Sequence, residues 1–143
     1  MSDTPLPRAL FAEFIATAML LIAVVGSGIA AERLAGGNVA LALLANAIAT
    51  GCALYPLIVA FGPVSGAHMN PVVTVAAAIL DGFPRVRVLP YICVQAAAAI
   101  GGVLVAHAMF ELPLWQASTH ARTGTGQWIG EGVATAGLLL VIR

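Results

Sequence analysis

The amino-acid sequence predicts an all-α integral membrane protein with a single membrane domain over residues 1–143. Hydrophobic residues make up 61% of the chain and charged residues only 8%, whereas soluble domains carry about 25% charged residues. Mean hydropathy is +1.01, and a soluble chain of this length could not bury so much apolar surface. The formal net charge is zero, which argues against nucleic acids as partners. Membrane lipid is the expected surrounding.

Long apolar segments predict the spanning helices, because a helix needs about 20 residues to cross the hydrocarbon core. The first segment contains Glu13 and is longer than a signal-peptide core of about 7–15 residues, so we expect a retained helix. Spanning helices are predicted over residues 9–31, 39–61 and 88–110, and a fourth, shorter apolar run covers residues 127–142. Both cysteines, Cys52 and Cys93, fall in such segments, and we expect them to pack as small apolar residues rather than to form a disulfide.

A shorter helix is predicted between the second and third spans, directly after Asn70 and Pro71. Asn is a preferred N-cap, and Pro fits the first helical position because the N–H that it lacks has no helical partner there. A helix from Pro71 to about Leu80 is roughly 15 Å long, which is half of the hydrocarbon core. Backbone that stops halfway through a membrane is tolerated only where protein buries it or water lines it. The sequence therefore predicts a re-entrant segment over residues 62–82 beside a pore.

The chain also contains an internal repeat. Residues 13–21 (EFIATAMLL) and residues 131–139 (EGVATAGLL) share six of nine positions, including the first, Glu13 and Glu131. An odd number of spans separates the starts of the two copies, so the copies cross the membrane in opposite directions, which is typical of inverted repeats with a site at mid-membrane. We expect both carboxylates to be buried in the bundle interior, where intramembrane acids are paired or hydrogen-bonded.

Residues 61–74 (FGPVSGAHMNPVVT) closely resemble the first signature loop of the aquaporin, or major intrinsic protein, family. The family form ends Asn-Pro-Ala-Val-Thr, and this chain has Val72 in place of the Ala. The resemblance implies an aquaporin-like bundle, a homotetramer, and a passive channel for water or small neutral solutes such as glycerol, urea or metalloid acids. The sequence has no nucleophile–base pairing, metal-ligand cluster or phosphate-binding glycine loop, so we expect neither an enzyme nor a cofactor.

The signature loop suggests how solute is handled. The side-chain oxygen of Asn70 can cap the half-helix, which leaves its amide hydrogens free to bind a passing water. The partial positive charge of the helix N-terminus disfavours cations at the same point. The resemblance implies that Gly66, Ala67 and His68 are extended, with carbonyls that form a ladder of acceptors in the pore. His68 matches the family His, and a packing role is an equal alternative.

Other positions receive roles through the same resemblance. Glu13, Glu131 and Gln95 match scaffold residues that hold the re-entrant loops. Leu20, Leu54 and Leu138 match positions in the pore wall, and lipid-facing or core positions are close alternatives. Thr50 matches the second-helix position of the narrow filter, where water-selective members usually have an aromatic residue. The smaller Thr50 and the bulkier Val72 both argue against strict water selectivity.

Compared with the family plan, the chain holds the first repeat (residues 1–111, three spanning helices and the re-entrant half-helix). An extracytoplasmic loop (residues 112–126) and the first helix of the second repeat (residues 127–143) follow. We therefore expect a truncated chain, either the front of a longer channel or a non-conducting membrane fragment that lacks half of the pore. Arginine placement favours a cytoplasmic N-terminus, because more arginines then lie on the cytoplasmic side of the membrane. This orientation places four arginines inside and two outside: Arg8, Arg85, Arg87 and Arg143 inside, and Arg33 and Arg122 outside. The expected membrane is a bacterial inner membrane. Small residues spaced four apart predict close helix contacts at Ala97/Gly101 and Ala98/Gly102.

Overall fold

The computed structural model describes residues 4–116 and 123–142. This part of the chain is helical without strands, which confirms the predicted fold class. The elements are α1 (Leu6–Leu34), α2 (Val39–Ser65), the short α3 (Pro71–Leu80), α4 (Val88–Met109) and α5 (Thr125–Ile142), with a 3-10 turn at Arg85–Arg87 before α4. Three segments are long and apolar enough to cross a membrane: Leu6–Leu34, Val39–Ser65 and Arg85–Met109. Arg122 and Arg143, which entered the orientation argument, lie outside the described residues, as does part of the loop predicted over residues 112–126.

Helices α1 and α2 extend beyond the apolar segments that predicted them, whereas the bounds of α4 agree with the prediction within one residue. Helix α2 continues through Pro56 and Pro63 to Ser65 instead of ending near residue 61. It stops at Gly66, which has the left-handed φ of 92° and donates its N–H to the carbonyl of Gly62 at 3.0 Å. Glycine adopts this conformation without a Cβ penalty and is a common helix terminator. The end of α2 is therefore set by backbone chemistry and not by hydropathy.

Helix α1 packs against both α2 and α4. The closest approach is at Gly102, where a Cβ would lie 2.6 Å from the carbonyl oxygen of Ala18. Ala98 is buried on the same face of α4, whereas Ala97 is exposed and a Cβ on Gly101 would meet nothing within 4 Å. Of the two small-residue pairs that the sequence offered, Ala98 and Gly102 are therefore the pair at the helix contact.

Helix α5 lies against α3, but none of its residues is buried. The prediction that Glu131 is buried is therefore wrong for this structure, because no described element packs over that side chain. Cys52 and Cys93 are likewise exposed rather than packed, and both are free thiols.

Candidate functional site

The candidate site is built around the loop that joins α2 to α3. Ala67 and Met69 are buried and both have φ of 49°, the left-handed region, which costs roughly 1–2 kcal/mol for a residue with a Cβ. The expected extended conformation is therefore wrong for Gly66 and Ala67. Side chains hold this backbone in place: the N–H of Ala67 donates to Ser65 Oγ at 3.1 Å, and the N–H of Met69 donates to the Glu13 carboxylate.

Asn70 begins α3 as its N-cap. Its Oδ1 accepts a hydrogen bond from the N–H of Val72 at 2.8 Å, and its carbonyl accepts from the N–H of Thr74 at 3.0 Å. No described residue accepts a hydrogen bond from Asn70 Nδ2, so these two donors stay free at the N-terminus of the half-helix. Val72 itself is 48% exposed.

A buried polar network fixes the loop and α3 to the long helices. Gln95 on α4 donates through Nε2 to Glu13 Oε1 and to Thr74 Oγ1, both at 2.9 Å. Thr74 Oγ1 also donates to the carbonyl of Asn70 at 3.1 Å. Glu13, Thr74 and Gln95 are each at most 1% exposed, so the two bonds that Gln95 donates form away from solvent. The network joins α1, α3 and α4 at one point.

Three buried atoms next to this network have no hydrogen-bond partner within the described part of the chain. They are Glu13 Oε2, Gln95 Oε1 and Thr17 Oγ1. Among the described residues, no group of three or more His, Cys, Asp and Glu side chains is placed to hold a metal ion.

An aromatic cluster packs behind the loop. The His68 ring lies edge-on to Phe83 with ring centroids 4.8 Å apart, and its Nδ1 is 3.1 Å from Thr74 Oγ1. Tyr91 contacts both rings and donates its hydroxyl to the carbonyl of Ser65 at 2.9 Å. His68 is only 7% exposed, so its ring packs in this cluster. Phe83 and Tyr91 were not predicted as site residues from the sequence, because neither lies in the signature loop.

Two of the three leucines expected in a pore wall lie beside the loop. Leu20 and Leu54 pack against a buried cluster that includes Ala67 and Met69. Thr50 precedes Leu54 by four residues on α2 and is half-buried, on the same face of the helix. Leu138 is half-buried on α5 and is not part of this cluster. The structure therefore brings Leu20 and Leu54 to the loop and leaves Leu138 apart.

A further polar side chain, Asn46, was not identified from the sequence. It lies in α2 and donates through Nδ2 to the carbonyl of Val24 at 2.7 Å and to Ser27 Oγ at 2.9 Å, both on α1. The sequence signal was present, since an amide inside an apolar span usually faces the bundle interior. Asn46 lines a cavity of about 660 Å³ between α1 and α2.

Three apolar spanning segments and a half-length helix that begins at a capped Asn define a multi-pass α-helical membrane protein with a re-entrant loop. The family model of the major intrinsic proteins matches residues 1–142. The chain therefore belongs to the major intrinsic protein family.

Similar proteins include channels of several kinds. The aquaglyceroporin AqpS of Rhizobium meliloti is 45% identical over 142 residues, which cover 99% of this chain and 60% of that protein. Aquaporin NIP6-1 of Arabidopsis thaliana is 33% identical over 125 residues, 87% of this chain and 40% of that protein. The propanediol uptake facilitator PduF of Salmonella typhimurium is 35% identical over 99 residues, 69% of this chain and 36% of that protein. The chain thus spans at most about three fifths of these three relatives.

Proposed function

We propose that this chain forms part of a passive transmembrane channel for water and small uncharged solutes. One observation carries the proposal: the loop presents free acceptors next to free donors. No described residue donates a hydrogen bond to the carbonyls of Gly66, Ala67 or His68, and none accepts one from Asn70 Nδ2. Unpaired polar groups at the end of a spanning helix are costly unless water or a polar solute binds them.

The order of these groups supports a mechanism for water passage. A water molecule at the loop donates its hydrogens to the carbonyls and then accepts from Asn70 Nδ2 at the start of α3. The N-terminus of α3 carries a partial positive charge, which disfavours a cation at that point. No covalent bond is made or broken, so the proposed role includes no catalytic step and requires no cofactor. Glu13 and Gln95 act as scaffold residues that hold the loop.

The proposed solutes extend beyond water to small polyols. Two relatives carry the names aquaglyceroporin and propanediol uptake facilitator, and Thr50 is small and polar at the position that matches the narrow filter. We propose glycerol as a solute, with urea and metalloid acids in the same size class. A homotetramer in the bacterial inner membrane, with a cytoplasmic N-terminus, is the assembly that the family suggests. In it, Leu138 completes the pore wall.

Reconstitution tests the proposal directly. The full chain is inserted into liposomes, and shrinkage after an osmotic step is followed by stopped-flow light scattering. The variant Asn70→Asp keeps the capping oxygen but removes the two free donors, and we expect water permeability to fall by about threefold to tenfold, as for the loss of one hydrogen bond in the barrier. Gln116→Glu makes the same amide-to-acid change at an exposed position and should leave permeability unchanged.

The measured permeabilities distinguish a conducting channel from a non-conducting membrane fragment. No increase over empty liposomes would contradict conduction by this chain and favour the non-conducting fragment. Conduction that is equal in the unchanged chain and in Asn70→Asp would remove Asn70 from the pathway.

A further inference from the structure

The cavity between α1 and α2 is a second polar site, separate from the loop. It lies towards the Glu32–Asn38 end of the two helices, and apolar residues such as Val24, Ile29 and Leu43 form much of its wall. Its polar side chains are Glu32, Asn38 and Asn46. At about 660 Å³, the cavity is within the usual range for small-molecule sites, about 300–1,000 Å³.

The hydrogen bonds of Asn46 fix the orientation of its amide. The carbonyl oxygen of Val24 can only accept, so the group of Asn46 that lies 2.7 Å from it must be the nitrogen. The nitrogen also donates to Ser27 at 2.9 Å, which places both donors against α1. The oxygen, Oδ1, is left without a hydrogen bond from any described residue, and it is not among the buried unpaired atoms. Oδ1 is therefore a preoriented acceptor that is not fully buried, on a residue that lines the cavity.

The position of Asn46 connects the cavity to the loop. Asn46, Thr50 and Leu54 follow one another at intervals of four residues, so they share one face of α2. Leu54 packs against the cluster that contains Ala67 and Met69. A solute in the cavity thus lies on the same helix face that leads past Thr50 to the loop.

The negative charge at the cavity disfavours anionic solutes. Within the described part of the chain the Glu32 carboxylate has no ion-pair or hydrogen-bond partner. The adjacent Arg33 is directed elsewhere, because its Nη2 donates to the carbonyl of Phe110 at 2.8 Å and its guanidinium lies 5.4 Å from the centre of that ring. The uncompensated negative charge of Glu32 disfavours anions at the cavity.

We propose that Asn46 is a specificity-determining residue that accepts a hydrogen bond from a hydroxyl of a small neutral polyol, such as glycerol, while the apolar wall contacts its carbon atoms. This inference rests on the proposed channel function. Water passage depends less on Asn46, because neighbouring water molecules also accept hydrogen bonds from a passing water. A polyol has several hydroxyls to satisfy at once, and the side-chain acceptors at the cavity are Asn46, Glu32 and Asn38. Asn46 therefore raises glycerol passage relative to water passage.

The test compares glycerol and water permeabilities in the same proteoliposomes, so that their ratio does not depend on the number of inserted channels. Asn46→Leu is close in size to the native residue and removes the acceptor; we expect the ratio to fall by about threefold to tenfold, the effect of losing one neutral hydrogen bond. Asn46→Ala removes the same acceptor without adding bulk and should also lower the ratio. Ser27→Ala removes one of the two bonds that hold the amide but keeps the acceptor, and should lower the ratio less than either Asn46 variant does.

Each outcome decides the matter. If the unchanged chain conducts neither water nor glycerol, the proposed function fails and this inference fails with it. If the unchanged chain conducts both and the ratio is unaffected in Asn46→Leu and Asn46→Ala, only this inference is overturned. An equal fall in Ser27→Ala, or failure of both Asn46 variants to accumulate, would assign Asn46 to the α1–α2 contact and overturn it as well.

Discussion

Replacing Gly102 by Ala should weaken the packing of α1 against α4. The new Cβ would lie 2.6 Å from the carbonyl oxygen of Ala18, 2.9 Å from Leu21 Cβ and 3.2 Å from Ala18 Cα. Two of these atoms belong to the backbone of α1, so the clash cannot be relieved by rotating a side chain. Overpacking of this kind costs about 1–3 kcal/mol. Ala also has a helix propensity about 1 kcal/mol better than that of Gly, which offsets part of the cost.

The neighbouring Gly101 isolates the steric part of this cost. A Cβ at Gly101 would meet nothing within 4 Å, so Gly101→Ala gains the same helix propensity without the clash. We expect the unfolding equilibrium constants of Gly102→Ala and Gly101→Ala to differ by about 5-fold to 150-fold, the equivalent of 1–3 kcal/mol. The measurement is a titration of the detergent-solubilised chain with sodium dodecyl sulfate, followed by far-ultraviolet circular dichroism. Equal stability of the two variants would refute the close approach of α1 and α4.

Three further predictions concern the loop and the pathway. Glu13→Ala leaves a loop N–H and a buried amide without their acceptor, at about 1–3 kcal/mol each, so the yield of folded protein should fall. The control Glu131→Ala, at an exposed position, should not lower the yield. Normal yield with altered solute preference in Glu13→Ala would contradict the scaffold role of Glu13. Tyr91→Phe removes a buried hydrogen bond to the end of α2 and should lower the free energy of unfolding by about 1 kcal/mol in the same detergent titration. Tyr55 is 73% exposed, so Tyr55→Phe is the matched control. An equal loss of stability in Tyr55→Phe would contradict a stabilising role of the Tyr91 hydrogen bond. Thr50→Phe should reduce glycerol permeability more than water permeability in proteoliposomes, because the ring narrows the pathway, and an unchanged ratio would exclude Thr50 from the constriction.

The sequence predicted those parts of the fold that depend on local chemistry. The bounds of α3 agree with the prediction, because Asn70 and Pro71 favour a helix start and Gly82, with φ of 72°, permits the stop after Leu80. Hydropathy predicted the spanning helices but does not locate their ends. The end of α2 was therefore predicted too early, near residue 61 instead of at Ser65.

Features that depend on distant residues were not predictable in this way. The left-handed backbone at Met69 is held by Glu13, 56 positions away in the chain, and no local rule expresses that contact. Helix α4 is apolar around most of its circumference, so its sequence does not show whether Ala97 or Ala98 faces α1. Asn46 is a different case, because a lone amide in an apolar span is visible in the sequence and by itself indicates a position that faces the bundle interior.

The polar network around Glu13 has a consequence for the order in which the protein folds. Met69 can adopt its costly backbone conformation only when Glu13 on α1 supplies an acceptor, and that carboxylate is in turn bound by Gln95 on α4. We therefore expect the half-helix to dock only after α1 and α4 have packed against each other. Amide hydrogen exchange at Met69 should become slow only at this step, so this N–H reports docking of the half-helix.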